Sequence, residues 1–203
     1  MRNHAGLGTM MGLMALNLWG CAAEVPSLVD QVQVPDNVMV GRVQAVITGE
    51  RARRYQPEVR VLMVEDRRTQ ERFNIHIESW DQQFVIALPP GDYLLNRVQI
   101  REGPFLSMAD VAIAFSVGKG PVTYVGTWRF GVDSPRYGRM VAVSIVLEQE
   151  DKAGMRDFLN KQYPTLARHP MEAMAPQPPT VTARLFEVMS YPRVERYFRR
   201  HWW

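Results

Sequence analysis

Phe84-Val85-Ile86-Ala87-Leu88-Pro89-Pro90-Gly91-Asp92-Tyr93 is the stretch on which the fold turns. Its first half is a short apolar run rich in aromatic and β-branched residues, which reads as a strand. Pro89-Pro90-Gly91-Asp92 then places proline second and glycine third, the order a type II turn requires. The expectation is a hairpin joining strands at Gln83–Leu88 and Asp92–Arg101.

Outward from this turn, apolar residues recur with a period of two from Val38 to Leu147. Further strands are expected at Val38–Thr48, Glu58–Glu65, Arg72–Glu78, Val111–Val117, Val122–Phe130 and Gly138–Glu148. Phe73, Ile75 and Ile77 alternate with Asn74 and His76, the pattern of a strand with one dry and one wet face. Asp66-Arg67-Arg68-Thr69 is a polar tip, and Gly118-Lys119-Gly120-Pro121 another reversal. Short strands at this spacing, with no long helix between them, define a mainly β chain: an antiparallel β-sandwich of about seven or eight strands over residues 38–149. The period becomes helical over residues 150–163, where Met155, Phe158, Leu159 and Tyr163 share a face and Asp151 can cap the start. Residues 164–179, with Pro170, Pro176, Pro178 and Pro179, read as a linker. Residues 180–203 read as a helical tail, with Val181, Leu185, Val188 and Met189 on one side.

The PPG turn followed by tyrosine resembles the hairpin of prealbumin-like β-sandwiches of the transthyretin or carboxypeptidase-regulatory type. Phe115-Ser116-Val117-Gly118-Lys119 with Thr123-Tyr124-Val125-Gly126 is similar to a second hairpin of bacterial lipoproteins that carry such domains. This resemblance implies a fold without an activity and transfers no functional residue.

The N-terminus carries a second resemblance. Met1 and Arg2 are followed by an apolar run of 14 residues, Ala5 to Leu18, and then by Trp19-Gly20-Cys21. The run is short for a spanning helix, which needs about 20 residues, and suits a signal peptide. Leu18-Trp19-Gly20-Cys21 resembles a lipobox, with Trp19 bulkier than usual at its position. That resemblance implies cleavage after Gly20, acylation of Cys21, and a signal peptide over residues 1–20. Ala22 after the cysteine implies the outer membrane, so the expected address is the bacterial cell envelope, facing the periplasm. Residues 21–37 are then the lipidated cysteine and a tether, with Pro26 and Pro35 keeping it extended. Cys21 is the sole cysteine, so no disulfide can form within the chain.

A net charge of +3 gives no reason to expect nucleic acid. His76, His169 and His201 lie far apart in sequence without a paired motif, so neither a metal nor any other cofactor is expected. No G-x-S-x-G elbow surrounds Ser79, Ser107, Ser116, Ser134 or Ser144. Gly118-Lys119-Gly120 lacks the remainder of a phosphate loop. Glu78 and Asp81 flank Trp80 at a strand end, where a solvated tip is the plainer reading than a pair of catalytic acids.

The last eleven residues hold four arginines and one glutamate. At helical spacing Val194, Tyr197, Phe198, His201 and Trp202 cluster on one side, with Arg193, Arg196, Arg199 and Arg200 on the other, and Trp203 ends the chain. Such a tail can dock on the domain, lie in a membrane interface or bind a protein partner. The expectation is a lipid-anchored, non-catalytic scaffold or binding module, with membrane lipid and an envelope protein as partners; an envelope hydrolase acting on glycan or peptide is the alternative.

Overall fold

The computed structural model describes residues 22–25, 27–28, 37–48, 55–79, 82–133, 140–146, 149–174, 176 and 182–188. They form eleven strands and two helices: β1 (Ala23–Val25), β2 (Val38–Ile47), β3 (Pro57–Asp66), β4 (Arg72–His76), β5 (Gln83–Ala87), β6 (Gly91–Glu102), β7 (Phe105–Val117), β8 (Val122–Val132), β9 (Met140–Val146), α1 (Gln149–Gln162), α2 (Pro164–Ala167), β10 (Met171–Ala173) and β11 (Thr182–Glu187). The chain is mainly β, with a short helix after the long strands.

All strands belong to one sheet in the order β1-β4-β3-β6-β7-β11-β9-β8-β2-β5, and β10 adds to β8. The sheet curls back on itself. β11 makes the corner, its first half pairing with β9 and its second half with β7. At the opposite seam the N-terminal segment closes the gap: β1 pairs in parallel with β4, and the Leu28 N–H donates to Val85 of β5 at 2.8 Å. Covering both edges in this way leaves few unpaired backbone groups to recruit another chain.

The enclosed core contains Met39, Leu62, Ile75, Ile86, Leu95, Val98, Ile113 and Val132, all fully buried or nearly so. A run of aromatic rings crosses it. Phe73 meets Tyr93 at 6.2 Å, Tyr93 stacks on Phe115 at 5.5 Å, Phe115 meets Trp128 at 5.3 Å, and Trp128 meets Phe84 at 6.3 Å. The Trp128 indole N–H is satisfied by the Val125 carbonyl at 2.8 Å. These offset and edge-on contacts add to simple area burial.

A second cluster lies on the outer face of the same sheet. Val38, Val40, Val85, Val122 and Tyr124 are covered by Met155 and Leu159 of α1, by Leu166 of α2 and by Met171 of β10. This explains why Val38-Met39-Val40 and Phe84-Val85-Ile86 are unbroken apolar runs: both faces are buried at the start of β2 and in the middle of β5. Phe158 and Tyr163 pack on the rim of this cluster, so the helix presents the face its periodicity predicts. Its first residue is Gln149, which puts Asp151 inside the first turn instead of at the cap.

The strand positions follow the sequence pattern, but their partners do not. Gln83–Ala87 and Gly91–Glu102 are strands, yet they do not form a hairpin. β5 pairs with β2, with Val38 opposite Ala87, while β6 pairs with β3 and β7. Gly91 is absent from the positive-φ residues, so the expected type II turn is not formed either. Pro89-Pro90 instead carries the chain around a corner between the two flanks. Two prolines remove the N–H groups that the first rung of a hairpin would use. The Tyr93 hydroxyl fastens the corner by donating to the Pro89 carbonyl at 2.7 Å, an arrangement of the kind called a tyrosine corner in β-sandwiches.

Other expectations need correction. β7 begins at Phe105, six residues before Val111, because Gly103, with φ of 56°, lets β6 and β7 join in a tight hairpin. Within residues 21–37, read as a tether, Ala23–Val25 is a strand and Leu28 is bonded to β5. Within the expected linker, Met171–Ala173 pairs with Val122–Tyr124. Thr182–Glu187 is extended, not helical: Ala183 and Leu185 are buried, while Thr182, Arg184 and Phe186 are exposed. In each case a short segment takes its conformation from the edge it completes.

Candidate functional site

The N-terminal seam positions a polar surface. β1 lies in register with β4, Ala23 opposite Phe73 and Val25 opposite Ile75. Glu24 points outward between two side chains of β4. Its carboxylate accepts a hydrogen bond from Asn74 at 3.0 Å and contacts His76 Nε2 at 2.5 Å. The Asn74 bond, followed by the His76 contact, holds the Glu24 carboxyl below its usual range.

A groove of about 400 Å³ opens beside this strand on the outer face of β4, β3, β6 and β7, lined by Ala22, Arg72, Asn74, Asn96, Arg97 and Asp110 among others. Its charged side chains neutralise one another. Arg72 meets Glu65 at 3.0 Å and Asn96 donates to the same carboxylate at 3.2 Å. Arg97 meets Asp110 at 2.6 Å and also lies over the Phe186 ring at 5.7 Å. Further along the face Arg101 meets Glu58 at 2.6 Å. The groove therefore offers a polar lining whose charges are matched in pairs.

At the end of the sheet where β1 begins, the hairpin between β3 and β4 is built around Asp66. Its carboxylate accepts the N–H groups of Arg68 at 2.7 Å and Thr69 at 2.8 Å, and Gln70 completes the turn with φ of 63°. The Thr69 and Arg68 N–H groups hold the Asp66 carboxyl low, outweighing its partial burial. This leaves Arg67, Arg68, Thr69 and Gln70 exposed at the tip.

Cys21, Trp80, Asp81, Ser134 and the tail residues Arg193, Val194, Arg196, Tyr197, Phe198, Arg199, Arg200, His201, Trp202 and Trp203 lie outside the described residues. Glu78 is exposed, and the Ser116 hydroxyl donates to Asp92 at 2.6 Å. Among the described residues no three His, Cys, Asp or Glu side chains converge to hold a metal, and no helix is long and apolar enough to cross a membrane. The Gly118-Lys119-Gly120 turn has a Glu172 carboxylate oxygen 3.2 Å from where a Gly118 Cβ would stand, so a phosphate there would meet negative charge.

One feature was not visible in the sequence. Under the start of α1, the Tyr124 hydroxyl and one carboxylate oxygen of Asp151 are buried with no hydrogen-bond partner among the described residues. Burial raises the Tyr124 hydroxyl above its ordinary range, against the opposing influence of the neighbouring Thr127 side chain, with the Asp151 charge adding to the rise. Residues 27 apart in sequence give no periodic signal that they come together.

No family model, no curated protein and no solved structure matches this chain.

Proposed function

We propose that the chain is a lipid-anchored protein of the bacterial cell envelope, acylated at Cys21, whose β body is a non-catalytic scaffold or binding module. The observation that carries this reading is the apolar run Ala5–Leu18 ending one short step before the chain's sole cysteine. The flank around β1 agrees with it in kind: Glu24 with Asn74 and His76, Arg72 with Glu65, Arg97 with Asp110 and Arg101 with Glu58 pair across strands, as in a structural surface. We read that body as a sandwich in the broad sense, two flanks of one curled sheet facing each other across an aromatic core.

The basic aromatic tail, Arg193 to Trp203, serves in this reading as the contact for an envelope protein partner. Its support is the path of β11, which runs away from the end bearing β1: Glu187 pairs with Ser107, beside the β6–β7 turn. β11 therefore ends at the pole opposite the start of β1.

Mass spectrometry of the N-terminal peptide from the native envelope tests the anchor. The expected result is a peptide beginning at Cys21 and carrying acyl chains. A full-length chain with unmodified Cys21 overturns the proposal.

A further inference from the structure

The docked β1 fixes which end of the body meets the bilayer. A free tether over residues 22–37 would span up to roughly 55 Å when extended. Instead the backbone is already paired with β4 at Ala23, and Ala22 lines the groove beside Arg72. Only the Cys21–Ala22 linkage, about 3.8 Å between Cα atoms, separates the cysteine from the folded body. Because β1 and β4 are parallel, the chain enters β1 at the end where β4 leaves the Asp66–Glu71 tip.

We infer that this end is the membrane-facing pole, and that Arg67 and Arg68 at its tip engage the phosphate groups of anionic phospholipids. The inference rests on acylation of Cys21 and adds an orientation and a ligand to it. Asp66 is committed to the backbone of its own turn, so the arginines are not neutralised by a salt bridge to it, although Glu71 remains on the same loop. Lys119 is exposed at the same pole, where β7 turns into β8. Among the described residues none of these three cations forms a salt bridge, unlike Arg72, Arg97 and Arg101 on the flank. Among the described residues, Asp92 and Glu172 are further acids at this end; the first accepts the Ser116 hydroxyl and the second sits against the Gly118 turn. Arginine next to an acylated residue is the combination in which a basic patch supplements lipid chains at a negatively charged surface.

The test uses the full-length acylated protein in vesicles of phosphatidylethanolamine with phosphatidylglycerol. With Cys21 blocked by lipid, Thr69→Cys and Pro104→Cys each give one labelling position, at opposite ends of the β3–β7 flank. A quencher attached to lipid headgroups is expected to quench a fluorophore at position 69 several-fold more than one at 104. The double substitution Arg67→Glu, Arg68→Glu is expected to reduce quenching at 69 while Cys21 stays acylated. Equal quenching at 69 and 104 on protein whose acylation is verified by mass overturns the orientation and leaves the anchor standing. Unchanged quenching after the charge reversal overturns the role of the arginines. An unmodified Cys21 overturns both the orientation and the anchor.

Discussion

The Tyr93 hydroxyl donates to the Pro89 carbonyl across 2.7 Å, reaching back over the Pro-Pro corner that carries the chain from one flank to the other. Tyr93 is fully buried and stacked on Phe115, so the bond anchors an exposed corner to the core. Tyr93→Phe is expected to lower stability by about 0.5–1.5 kcal/mol, the net value of one such bond, as measured by urea denaturation. The same residue sets an alkaline limit. Burial, with the Asp66 charge adding to it, pushes the Tyr93 hydroxyl up to about 12. An unfolded tyrosine loses its proton near pH 10, whereas the folded one keeps it, so the Tyr93 contribution to stability is constant below pH ~10 and falls between there and 12. Tyr93→Phe should flatten that decline.

The acid limb has the opposite sign. Asp66 and Glu24 are both held below their ordinary values by hydrogen bonds to their charged forms. Their stabilising contributions are complete above the unfolded values near pH ~4 and vanish as the pH falls through the lower folded values. Asp66→Asn should therefore remove part of the acid sensitivity of thermal unfolding. Glu24→Gln should do so more locally, seen as faster hydrogen exchange along β1 near neutral pH.

Gln82 clasps the two flanks at the pole away from the Asp66 tip. Its side-chain oxygen accepts the Val59 N–H at 3.0 Å, and its carbonyl accepts the Val43 N–H at 2.8 Å. Val59 is fully buried, so Gln82→Ala strands a buried donor and is expected to cost about 1–3 kcal/mol by denaturant titration. Gln82→Glu keeps an acceptor and should cost less.

Three glycines separate close approach from convenience. A Cβ on Gly41 would stand 2.6 Å from Phe84 Cζ and 2.9 Å from Val125 Cγ2, so Gly41→Ala should destabilise by about 1–3 kcal/mol through overpacking. At Gly91 the nearest atoms lie at 3.5 Å and φ is not positive, so alanine there should change stability by less than about 0.5 kcal/mol. Gly154 in α1 faces open space, and alanine should gain up to about 1 kcal/mol. Melting temperatures of the three variants check the order.

Much of the strand layout could be read from the chain because burial leaves a period that a single segment carries by itself. Val38–Ile47, Arg72–His76 and Val122–Val132 each begin at the residue where the sequence pattern places a strand. Pairing is different: it depends on which faces need covering, and this is a property of two segments. β5 reads like the first arm of a hairpin, yet Phe84, Val85 and Ile86 are all buried, and only a place beside β2, under α1 and over the aromatic core, buries both faces. β1, β10 and β11 have between three and six residues each, too few to show a period, and owe their shape to the edges of β4, β8 and β7. The polar seam was equally hidden. Glu24, Asn74 and His76 look like unrelated surface residues until parallel pairing sets them side by side. The Tyr124 and Asp151 atoms buried beneath α1 emerge only when the helix packs on β8.

The opposed exits of β1 and β11 have a mechanical consequence. A load applied between the two ends of the body pulls each terminal strand lengthwise past its neighbour, so the rungs of β1 on β4, and of β11 on β7 and β9, resist together. Peeling them off one rung at a time would require a sideways tug, which this geometry does not supply.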